Sequence, residues 1–79
     1  MESYLTRRDP ERNMARFYAL EVAPDLFGGA VLVRHWGRIG TGGQARRQWF
    51  AAAAEARAEA ARWRALKERR GYAAEGAPA

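Results

Sequence analysis

Val31-Leu32-Val33-Arg34-His35-Trp36-Gly37-Arg38-Ile39-Gly40-Thr41-Gly42-Gly43 is the stretch on which the fold turns. Its β-branched start predicts a strand, and its glycine cluster must end that strand and reverse the chain. Side chains alternate across a strand, so Val31, Val33 and His35 share one face while Leu32, Arg34, Trp36 and Arg38 share the other. Burying the Arg34 and Arg38 charges without partners would cost several kcal/mol each. The expectation is that Val31 and Val33 hold the sheet to its covering layer, leaving Arg34, Trp36 and Arg38 free for a partner. Such a row can bind phosphate through Arg while Trp36 stacks on a sugar or base.

The glycines invite a second meaning. Gly40-Thr41-Gly42-Gly43-Gln44-Ala45 fits the string G-x-G-x-x-[GA], but it leads into Arg46-Arg47-Gln48-Trp49-Phe50, a strand-like run. A pyrophosphate loop needs a helix N-terminus at that point, so nucleotide binding is set aside. Gln44 to Phe50 instead becomes the next strand of a hairpin, with Ala45, Arg47 and Trp49 on one face and Arg46, Gln48 and Phe50 on the other.

Working backwards, Arg16 to Val22 has strand composition, with Phe17 and Ala19 on one face and Arg16, Tyr18, Leu20 and Val22 on the other. Both faces carry apolar residues, which places this strand inside a sheet. Phe17 is expected on the helix-covered side. Pro24 to Gly29 closes the hairpin to the central stretch. Ser3 to Thr6 reads as a short strand, and Arg7 to Asn13 as a polar loop that Pro10 keeps out of helix and central strand.

Working forwards, Ala51 to Arg70 contains neither Gly nor Pro and is rich in Ala, which predicts a helix. Ala53, Ala56, Ala60, Trp63 and Leu66 or Lys67 form its apolar stripe, small residues with one large ring as the core anchor. Glu55 and Glu59 near its start and Lys67, Arg69 and Arg70 near its end suit the helix dipole. Gly71 is a candidate cap, with Tyr72 packing back on the domain. Residues 73–79 are expected to be a disordered tail, so that residues 1–72 form one domain.

At 79 residues there is room for one core and no separate catalytic module. No cysteine is present, and the single histidine, His35, excludes a multi-histidine metal site. No Ser-His-Asp, Cys-His or converging carboxylate set is visible, so neither enzyme chemistry nor a cofactor is expected. Neither a signal peptide nor a membrane-length apolar run stands out, which makes the cytoplasm the expected location and a membrane partner unexpected. The formal charge is +5, with eight arginines against five acids in residues 1–50 and six basic residues against four acids beyond. Spread excess charge of this kind attracts polyanions, nucleic acid above all. Singly, any of these arginines is as well explained by solvation.

Several motifs together give the chain a likeness. Trp36-Gly37-Arg38 followed by Ile39-Gly40, Asn13 ahead of Phe17-Tyr18, Gly43-Gln44, Phe50 before the helix, and the stripe Ala56, Ala60, Trp63, Lys67 ending at Tyr72 resemble the WGR domain, over about residues 4–72. That family is familiar from DNA-break-sensing poly(ADP-ribose) polymerases and from short bacterial proteins. The resemblance implies an α+β fold, a twisted antiparallel sheet of four to five strands with one helix packed across one face. It also implies DNA contact near a break, the triplet's tryptophan lying against the terminal nucleotide, and contacts to neighbouring domains; no polymerase domain or zinc finger is expected beside this one, which leaves the interdomain role of Arg38 without a counterpart. By motif position these roles fall on Trp36 and Arg38, with Asn13 and Arg16 beside them. Added to the residue-level reading, the expected site is Trp36, Arg38, Arg34, Arg46, Arg47, Arg16 and Asn13. It would bind DNA with little sequence specificity, since phosphate contacts position without reading bases. The rival expectation is an acidic protein partner on the same face.

Overall fold

The computed structural model describes residues 2–74. Strands β1 (Glu2–Asp9), β2 (Met14–Pro24), β3 (Ala30–Arg38) and β4 (Gln44–Phe50) precede helix α1 (Ala53–Arg69) and a two-residue strand β5 (Ala73–Ala74). They form one antiparallel sheet in the order β4-β3-β2-β1-β5, with α1 packed across one face. The α+β architecture expected from the sequence is the one found.

Registers are set by short connections. Arg7, Arg8 and Asp9 are not in a loop. They pair with Arg16, Ala15 and Met14, and only Pro10 to Asn13 turn the chain, through a 3-10 turn that ends on Asn13 in the left-handed region (φ 51°). Backbone pairing has overridden the polarity of these side chains, which sit comfortably on a half-solvated strand. Ala73 and Ala74, expected in a tail, add to the sheet edge beside Thr6 and Leu5. The remainder of that expected tail, residues 75–79, lies outside the described residues.

The faces are assigned the other way round from the sequence expectation. Leu5, Tyr18, Leu20 and Leu32 are buried together with Ala60 of α1, and Val22, Trp36, Phe50, Trp63 and Tyr72 pack around them. The helix therefore covers the face that carries Leu32, Arg34, Trp36 and Arg38, while Val31 and Val33 point away from it. The larger aliphatics decide this, because Leu5, Leu20 and Leu32 remove more apolar surface from water under a helix than Ala19, Val31 and Val33 would. Small Ala56 and Ala60, both fully buried, let α1 sit close to the sheet. Phe17 is on the open face. It is nonetheless only 5% exposed, because Tyr4 stacks on it at 5.9 Å between ring centroids and His35 meets it edge-on at 5.0 Å.

The β3–β4 turn also folds over Phe17. A Cβ on Gly37 would lie 2.7 Å from the Gly43 Cα, and one on Gly43, at φ +66°, would lie 2.3 Å from the Trp36 carbonyl oxygen. The turn can close only with glycine at both positions. His35 Nε2–H donates to the Gly42 carbonyl at 2.5 Å and pins it. At the far end of α1, the Gly71 N–H reaches the Glu68 carbonyl and the Tyr72 N–H the Lys67 carbonyl. This is the Schellman pattern, with Gly71 at φ +94° as expected of the cap. It swings Tyr72 back under the sheet.

Candidate nucleic-acid interface

The site lies where α1 ends over the start of β2 and the end of β3. Strand register alone brings three cations into a row there. Arg7 pairs with Arg16 and Arg16 with Arg38, all on the helix-side face. Like charges set directly opposite oppose folding, so the row needs a compensating reason to persist. Arg38 has a partial one. Its guanidinium donates to the Asn13 main-chain oxygen at 3.1 Å and to Asn13 Oδ1 at 3.3 Å. Asn13 tolerates the left-handed conformation that aims both oxygens at Arg38, which explains why an asparagine stands at this turn. Ile39 N–H, bonded to the Ala15 carbonyl at 2.9 Å, ties the same corner.

Behind the row stands a wall of alternating rings and cations. The Arg34 guanidinium lies over Trp63, 4.0 Å from its ring centroid, and 5.7 Å from that of Trp36. It also donates to the Tyr18 hydroxyl at 3.5 Å. A guanidinium is weakly hydrated and planar, so it can enter an aromatic sandwich where an ammonium could not do so cheaply. This is why Arg34 is tolerated under the helix, against the sequence expectation that it would stay free. Trp36 is half-buried, stacked at 6.3 Å on Tyr18, and its position is fixed from behind by Arg34. Lys67, delivered by the last turn of α1, sits 4.6 Å from the Tyr18 ring and 5.5 Å from Tyr72.

These residues bound an open cleft of ≈ 480 Å³ lined among others by Arg16, Trp36, Arg38, Lys67 and Tyr72, with no carboxylate in its wall. Two ionisable groups register its electrostatics. Burial pushes the Lys67 ammonium below the ordinary lysine value, and the nearby Arg70, Arg34 and Arg16 charges push it further the same way. Burial raises the Tyr18 phenol, partly offset by Arg34. A lysine disfavoured by surrounding arginines is a lysine that an anion would relieve.

Of the expected site residues, Trp36, Arg38, Arg16 and Asn13 meet at this corner. Arg34 supports it from behind. Arg46 pairs with Arg34 and so shares its face, but is displaced along the sheet. Arg47 pairs with Val33 and belongs to the opposite face, so the structure does not bring it together with the others. Lys67, Tyr18 and Tyr72 also line the cleft, outside the set expected from the sequence. The only available signal was Lys67 itself, the one lysine of the chain, standing one turn after Trp63 on the helix stripe.

Among the described residues no group of His, Cys, Asp and Glu could hold a metal, and no helix is long and apolar enough to cross a membrane. The family model of the WGR domain matches residues 1–78. An uncharacterized protein, y4dW, of Sinorhizobium fredii is 61% identical over 41 residues, a segment that makes up 52% of this chain and 20% of that protein. A crystal structure of a Bacteroides fragilis protein superposes with a TM-score of 0.79 at 26% identity, covering 94% of this chain and 19% of that one. The chain thus spans at most about a fifth of the length of these relatives.

Proposed function

The chain belongs to the WGR domain family, and on that premise we propose that it is a non-enzymatic module that binds DNA at ends or nicks, with little sequence specificity. WGR domains are a nucleic-acid-binding type of module in poly(ADP-ribose) polymerase-like proteins and are themselves non-catalytic. The observation that carries the reading is the cleft, in which Arg16, Arg38 and Lys67 converge beside Trp36 and Tyr72 without a carboxylate. Cations gathered this way favour phosphate, and a half-exposed indole beside them offers a face to an unstacked sugar or base. A terminus or nick presents such a base, whereas an intact duplex does not. Arg16, Arg38 and Lys67 are assigned to phosphate, Trp36 to stacking, Asn13 to aiming Arg38, and Arg34 to holding Trp36. Arg46 can add a flanking phosphate contact on the same side. Arg47, on the far face, has no place in this assignment.

The test compares Trp36→Ala with the unaltered chain on labelled duplexes with free ends, with a nick, and on closed circles. Binding to ends and nicks is expected to fall by about tenfold, the worth of one stacked ring, with binding to closed duplex nearly unchanged. Equal losses on every substrate would make Trp36 a purely structural residue. An acidic peptide that binds the cleft as tightly as DNA does would shift the reading to a protein partner.

A further inference from the structure

The face of the sheet away from α1 is not built for water. Where a one-sided antiparallel sheet ordinarily turns polar residues outward, this one carries Tyr4, Phe17, Ala19, Val31, Val33, Ala45 and Trp49. Tyr4 is 46% and Trp49 58% exposed. A shallow hollow of ≈ 520 Å³ lies on this face between Tyr4, Ala19, Glu21, Val33 and Ala45.

Its charges have a pattern. Register places Glu2, Glu21, Val33 and Arg47 in one row across β1, β2, β3 and β4. Glu2 and Glu21 are directly opposite and make no ion pair among the described residues, a repulsive arrangement. Arg47, at the other end of the row, is likewise exposed and makes no ion pair among the described residues.

We propose that a second copy of this chain docks on the open face, sheet against sheet, about a two-fold axis parallel to the strands and running between β2 and β3. That rotation places β4 of one copy over β1 of the other and β3 over β2. In the charged row, Arg47 then faces Glu2 of the partner copy beside Glu21, twice per dimer. In the next row, Tyr4-Ala19-His35-Ala45, large side chains meet small ones, Tyr4 over Ala45 and His35 over Ala19. Such alternation is what lets two sheets pack at about 10 Å. An axis perpendicular to the strands would instead set Glu2 against Glu2 and Arg47 against Arg47. The β3–β4 turn bounds the face at one end. Four strands about 4.8 Å apart and seven residues long give a footprint of about 450 Å² per copy, the size of a weak, concentration-dependent dimer. The cleft, on the other side of the sheet, stays open in each copy.

Sedimentation equilibrium of the full chain at about 0.15 M salt, where the +5 charges of the two copies are screened, tests this. The mass is expected to climb from monomer towards dimer between about 10 µM and 1 mM, the range of weak interfaces. Arg47→Glu, and separately Glu2→Lys with Glu21→Lys, should each weaken association by at least about tenfold. An equimolar mixture of the two variants should recover it, because each then carries the charge the other lacks. Constant monomer mass up to about 1 mM, unchanged association in Arg47→Glu, or a mixture that stays monomeric would each overturn the proposal. These side chains are exposed and hold nothing among the described residues, so the variants are expected to keep the fold.

Discussion

Between the indoles of Trp36 and Trp63, Arg34 contributes through its plane and its stem as much as its charge. Arg34→Ala is therefore expected to lower stability in urea by about 1–2 kcal/mol, since packing and cation–π contact are lost together. Arg46→Ala, its exposed register neighbour, should stay within about 0.5 kcal/mol, as surface changes usually do. Lys67 presents the opposite balance. Its pKa is lowered on folding, so its favourable contribution is present above the unfolded value of 10.5 and is lost as the pH falls through the folded value. At neutral pH the protonated ammonium thus works against the fold. Lys67→Met should raise the urea midpoint while weakening polyanion binding. In the unaltered chain, affinity for a polyanion should fall as alkaline pH removes the Lys67 proton, earlier than for an ordinary lysine; the variant should lack that step. A pH-independent affinity in the unaltered chain would mean that Lys67 does not touch the anion.

At the scale of elements, the strands and the helix were legible because each has its own composition: β-branched and aromatic residues in Arg16–Val22 and Val31–Arg38, alanine without Gly or Pro in α1. Which face the helix covers was not legible from alternation alone, since Arg34 and Trp36 looked too polar to enclose. The decisive residues are Leu20 and Leu32, whose bulk outweighs a guanidinium that two rings can solvate. Arg7 to Asp9 misled in the same way, their charges masking a strand that pairs residue for residue with Met14 to Arg16. Trp63 proved a half-buried anchor, 6.4 Å from Tyr18, so Trp63→Ala should cost about 2–3 kcal/mol, less than a fully enclosed ring would. Gly43→Ala should cost at least as much, because its Cβ would have to displace main-chain atoms of Trp36. Equilibrium urea unfolding checks both, and a neutral Gly43→Ala would show that the turn can open without loss.

For the whole molecule, the sheet separates two surfaces of different character. On one side α1 delivers Lys67 and Tyr72 to the Trp36-Gly37-Arg38 strand end, from so far along the chain that no local spacing could have announced the meeting. On the other, Glu2, Glu21 and Arg47 make a row that has meaning only once the register is known. On the first surface, the role proposed for the carboxylate-free cleft of three cations and a tryptophan is to bind DNA where its stacking is interrupted. Its most direct measurement is the affinity of the unaltered chain for a nicked duplex as a function of salt. Three phosphate contacts predict a log–log slope of about −3, with Arg16→Gln, Arg38→Gln or Lys67→Gln each reducing it by about one. Absence of measurable binding to nicked or blunt-ended DNA at low salt would contradict the account.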